Sequence, residues 1–85
     1  MHKGYIQRWE QDRPHLRDIF HFCPLAEHAA YWPSRYNAEA KCAELSKGVK
    51  IGRFLCTDFQ IEEAAPDRFL IFCEAPFEEF VAAGV

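Results

Sequence analysis

Glycine is scarce in this chain, at four residues in 85, and the four do not gather into a loop that could cradle a phosphate. No G-x-G-x-x-G, no P-loop and no G-x-S-x-G occurs, which removes the best-marked nucleotide-binding and serine-hydrolase patterns. No stretch approaches the ~18–20 consecutive apolar residues of a membrane span. The first fifteen residues, MHKGYIQRWEQDRPH, lack the apolar segment of a secretory signal. The expectation is a cytoplasmic protein with reduced thiols. Repeats, low-complexity tracts and Gly/Ser linkers are absent as well, so 85 residues imply a single small domain. Such a chain buries a little over ~60% of its unfolded surface, which makes a thin core.

Aromatic residues are plentiful, with eight Phe, three Tyr and two Trp. Each can bury ~150–250 Å², enough to enlarge a small core or to anchor an interface. The net charge of −3 disfavours anionic membranes and polyanions in general. The charge is also segregated. Residues 1–53 hold nine Lys/Arg and six Asp/Glu, whereas residues 54–85 hold one Arg and seven acids. Basic elements lying beside acidic ones within one fold explain this most simply; two patches that organise an assembly would explain it too.

Alternating polarity marks YIQRWE (5–10) as a strand, with Tyr5, Gln7 and Trp9 on one face and Ile6, Arg8 and Glu10 on the other. QDRPH (11–15) turns the chain, and RDIFHFC (17–23) returns as the second arm of a hairpin. Residues 24–33, bounded by two prolines, suit a short helix or turn, although Pro33 pushes Trp32 toward extended backbone. SRYNAEAKCAELSKG is a helix over 34–47: Ser34 or Asn37 caps its start, and Gly48 ends it. Its narrow apolar stripe is Ala38, Cys42 and Leu45, continued by Val49. The remainder is sheet. A strand from Val49 bends at Gly52 and runs on to Glu63; AAPDR turns, and RFLIFCEA (68–75) returns. Pairing Phe59 with Phe72 and Ile61 with Leu70 places four large apolar side chains on one face, toward the helix stripe. Phe69, Ile71 and Cys73 then occupy the opposite face, so 69–73 is apolar on both sides and central. Phe77, Phe80 and Val81 form a final helical turn docked on the sheet. The expected architecture is α+β in β-β-α-β-β order, a mainly antiparallel sheet of about four strands with one main helix on one face.

His21, Cys23 and His28 crowd within eight positions and are the candidate metal ligands, or a thiolate–imidazole pair. Structural zinc uses close ligand pairs, and no second pair exists; Cys42, Cys56 and Cys73 are scattered singly. A thiol nucleophile would need an orienting group and an oxyanion cradle, and the sequence offers neither. Buried free cysteine and ordinary histidine are the simpler account, with no metal or cofactor. Tyr5, Arg8, Trp9, Tyr31, Trp32, Arg35 and Tyr36 resemble the aromatic-basic mixture of single-strand nucleic-acid sites, against the overall acidity. The favoured expectation is a non-enzymatic protein-interaction module, a homodimer or a small subunit of a larger assembly. Its candidate contact residues are Tyr31, Trp32, Tyr36, Phe69 and Ile71, with Trp32 as anchor, because one helix covers only one face of the sheet.

Overall fold

The computed structural model describes residues 1–12 and 17–82. Six strands and two helices follow in order: β1 (His2–Asp12), β2 (Arg17–Cys23), α1 (Arg35–Leu45), β3 (Val49–Ile51), β4 (Phe54–Cys56), β5 (Gln60–Ala65), β6 (Arg68–Ala75) and α2 (Phe77–Ala82). The main sheet is antiparallel in the order β2-β1-β6-β5, and β3 and β4 form a separate two-stranded sheet. The fold is the expected α+β class. Most of the turn expected at 11–15 lies outside the described residues.

The helix starts where its cap chemistry dictates. Ser34 is extended, and its hydroxyl accepts the Asn37 backbone N–H at 3.2 Å. Beyond Leu45, Gly48 takes a φ of 119°, closed to most side chains, and lets the chain turn into β3. Ala38 and Leu45 are buried against the sheet, with Cys42 and Val49 packed at their side, so the apolar stripe is as expected.

The strand expected from Val49 to Glu63 is broken in three. Gly52, at φ 61°, opens a two-residue turn that pairs Ile51 with Phe54, and β5 starts only at Gln60. The pairing of β5 with β6 also differs, by one residue. Gln60 faces Phe72, Ile61 faces Ile71 and Glu62 faces Leu70. A one-residue slip exchanges faces. Phe59 and Ile61 therefore pack with Phe69, Ile71 and Cys73 on the helix side, while Leu70 and Phe72 point to the back of the sheet. The physical reason is that β5 offers a single large apolar residue, Ile61, and matching it to the fully buried Ile71 leaves Glu62 and Gln60 for the less enclosed side.

A bulge between Ile6 and Arg8 likewise separates Tyr5 from Trp9. Tyr5 lies on the back face, whereas Trp9 turns to the helix side and contacts Phe20 and Trp32. Of the final turn, Phe80 alone is buried, edge-on to Phe22; Phe77 and Val81 are exposed.

Both faces of β6 are closed within the chain. α1, the β3–β4 hairpin and Phe80 cover the helix side, where Ile6, Ile51, Ile71 and Cys73 are fully enclosed. On the other side, Tyr5, Cys23, Leu70 and Phe72 form a second cluster with Ala26 and Ala29 packed against it. The apolar back face expected to await a partner is therefore covered by residues 24–29, which contain a short 3-10 turn at Ala26–His28.

Phe80 also occupies the space above Gly4, where a Cβ would collide with its ring. Gly4→Ala is accordingly expected to lower stability by about 1–3 kcal/mol, read from the urea unfolding midpoint. An unchanged midpoint would mean that the ring does not rest there.

Candidate interaction surface

β1 pairs with β6 only through His2–Tyr5 and then parts from it. The opening is filled by residues 30–32. The Ala30 N–H donates to the Ile6 carbonyl at 2.9 Å, and Trp32 exchanges two backbone hydrogen bonds with Phe69, at 2.8 and 2.9 Å. Pro33 and the Ser34 cap follow at once. The stretch from Ala30 to α1 is thus tied at both ends by backbone hydrogen bonds.

Within that stretch, Trp32 faces inward. Its ring stacks on Trp9 with centroids 5.6 Å apart and planes 4° from parallel. Lys41 of α1 places its ammonium 4.8 Å from the Trp9 centroid and 5.6 Å from that of Phe20. The cation joins helix to hairpin through the ring quadrupoles, an attraction that strengthens as water is excluded. Trp32 is therefore a structural wedge. Tyr31 and Tyr36, by contrast, stand outside, 54% and 79% exposed. Arg68 lies 4.7 Å over the Tyr31 ring, supporting one of its faces.

Phe69 and Ile71 have no surface to offer. Both are buried beneath α1, and Arg35 closes over the Phe69 ring at 5.2 Å while approaching Glu63 at 3.8 Å. A similar arrangement holds the back face, where Lys3 lies 4.3 Å from the Phe72 centroid and 3.7 Å from Glu62. The Tyr5 hydroxyl donates to the same Glu62 carboxylate at 2.9 Å. Basic residues of the first part thus meet acids of the second inside one chain.

The three candidate metal ligands have different surroundings. His21 is half-buried in β2 opposite Arg8, Cys23 is buried on the back face, and His28 is exposed at the end of the 3-10 turn. Among the described residues, no three of His, Cys, Asp and Glu are grouped so as to hold a metal ion. Cys23 donates to the Leu25 carbonyl at 3.4 Å, and burial pushes its thiol above the ordinary range. It borders an apolar cleft of about 200 Å³ shared with His2, Lys3, Gly4, Pro24, Phe77 and Phe80. A thiol kept protonated is a poor nucleophile. Cys73 is raised as well, by burial and then by its contact with Cys56.

No family model matches the chain, and no curated protein and no solved structure matches it either.

The two kinds of aromatic residue should separate in experiment. Trp32→Ala removes the wedge and is expected to cost about 3 kcal/mol, whereas Tyr36→Ala should stay within about 0.5 kcal/mol of the parent; chemical denaturation measures both.

Stability should also fall on the alkaline side. Cys23, Cys42 and Cys73 are raised from the ordinary thiol value of 9.0, and Tyr5 from 10.0, in each case mainly by burial. The fold favours their protonated forms, so this contribution is complete below pH 9.0 and is lost as pH climbs through the raised native values. A urea midpoint that holds steady from about pH 7.5 to 8.5 and declines beyond is the expected profile.

Proposed function

We propose that the chain is a non-enzymatic protein-interaction module, a homodimer or a small subunit of a larger assembly, whose contact surface centres on Tyr31 and Tyr36. The observation that carries this is the exposure of two tyrosines on a stretch held by the Trp32–Phe69 bridge and the Ser34 cap. Aromatic rings on a tethered segment give up little conformational entropy on binding, which is the property of interface anchors. Trp32, the anchor suggested by sequence, gives way to Tyr36, since the tryptophan is engaged internally. A cytoplasmic location accords with this proposal, because Cys23, Cys56 and Cys73 are free, buried thiols suited to a reducing compartment.

Single-stranded nucleic acid is the second possibility that the same rings suggest, with Arg68 beside Tyr31. Its support is smaller, because Arg35 is turned toward Phe69 and Glu63. A thiol or metal enzyme using His21, Cys23 and His28 has less support still, given the raised Cys23.

The test is co-purification from the native cell, comparing the parent with a Tyr31→Ala/Tyr36→Ala variant of unchanged stability. A partner that depends on these rings should be lost roughly 30-fold, the equivalent of about 2 kcal/mol at a hot spot. Equal retention by both proteins would reject the assigned surface, and salt-sensitive retention on oligonucleotide would favour the nucleic-acid alternative.

A further inference from the structure

β3 and β4 form a two-stranded sheet of their own, set against the main sheet by side-chain packing. A lone hairpin is marginally stable in water, so the place of this one depends on what it buries. Ile51 and Cys56 are its buried residues, and both enter the helix-side core. There Cys56 of β4 meets Cys73 of β6, with the two thiols in hydrogen-bonding contact. Two sulfurs from different sheets are thus brought side by side.

Their access to solvent differs. Cys73 is fully enclosed, whereas Cys56 borders an open cleft of about 200 Å³, with Thr57, Asp58, Gln60 and Glu74 around it. The Cys56 thiol donates to the Asp58 carbonyl at 3.6 Å. Asp58 and Glu74 are the charged side chains of the cleft wall, so it disfavours anionic oxidants such as glutathione disulfide and admits a small neutral one. Hydrogen peroxide is little larger than water, and a cleft of this size holds it easily.

We propose that Cys56 and Cys73 are a peroxide-reactive pair, Cys56 meeting the oxidant in the cleft and Cys73 resolving it as a disulfide that ties the β3–β4 hairpin to the main sheet. The proposal is independent of the Tyr31–Tyr36 surface. Burial keeps Cys73 protonated, which leaves the first attack to the thiol at the cleft. Cys56 gives up its proton, and its thiolate attacks one oxygen of hydrogen peroxide. The O–O bond breaks, hydroxide leaves and takes up a proton, and Cys56 becomes a sulfenic acid. The Cys73 sulfur then displaces that oxygen. The S–S bond forms, the S–O bond breaks, and the Cys73 proton departs with the oxygen as water. Two thiols lose two electrons, and one peroxide becomes two waters. A dithiol reductant reverses the bond by exchange.

Peroxide treatment of the folded, fully reduced protein, followed by intact-mass measurement and peptide mapping, tests this. The parent should lose about 2 Da, the two hydrogens of the thiols, and the Cys56–Cys73 peptide should carry the bond. The urea midpoint should rise, because the cross-link restricts the unfolded chain, and dithiothreitol should return it to its starting value. Cys73→Ala, which buries no polar atom, should stop at a sulfenic acid on Cys56, gaining about 16 Da and reacting with dimedone. Cys56→Ala should leave Cys73 reduced. The same treatment in urea should give mixed cysteine pairs, since only the fold selects this one. A parent that keeps all four thiols overturns the proposal, as does a bond between any other two cysteines. An identical mixture of pairs in the folded and urea-treated protein also overturns it, and so does an oxidised protein with an unchanged urea midpoint.

Discussion

β6 is apolar on both faces, the described residues include one long helix, α1, and most of the architecture answers to that fact. A strand of this kind cannot lie at an edge or present a face to water, so it must be central and covered twice. α1 supplies one cover, helped by the β3–β4 hairpin and Phe80. The other comes from the connection between β2 and α1. Its 3-10 turn brings Ala26 and Ala29, small enough to approach closely, against Tyr5, Cys23, Leu70 and Phe72. The same connection then enters the gap where β1 leaves β6 and hydrogen-bonds to both strands. One segment therefore seals the back face and completes the sheet.

Charge follows from the same arrangement. Glu62 and Glu63 are adjacent on β5 and point to opposite faces. Each approaches a cation that lies on an aromatic ring of β6: Lys3 over Phe72 at the back, and Arg35 over Phe69 on the helix side. A long basic side chain laid across a ring shields it with methylenes while its charged head stays near water and an acid. In a domain with more aromatic surface than one helix can cover, lysine and arginine complete the enclosure. The division into a basic first part and an acidic second part is thereby put to use inside the fold.

These constraints also decide which residues remain for function. The cysteines contribute as small apolar side chains, and the two buried residues of β6 once suited to an interface lie beneath α1. Trp32 is spent on its stack with Trp9. What the packing leaves outside is Tyr31 and Tyr36, held by the bridge and the helix cap.

The sequence by itself determined the class of fold, the β1–β2 hairpin, the capped helix with its Ala38–Cys42–Leu45 stripe, and the central place of residues 69–73. All of these rest on local periodicity, cap chemistry or the polarity of consecutive residues. It did not determine the register of β5 on β6. Two alignments one residue apart both pair apolar with apolar somewhere, and only the depth of the helix-side core, which encloses Ile71 fully, selects between them. Nor could it show that Tyr5 and Trp9 face opposite ways, because alternation holds only until a bulge interrupts it. The candidate site divides along the same line. Tyr31, Trp32 and Tyr36 stood out as aromatics beside prolines, and their chemistry was legible from composition alone. Which ring points inward was decided by the tertiary structure, because it depends on β1 parting from β6 and on the bridge from Trp32 to Phe69 that fills the space.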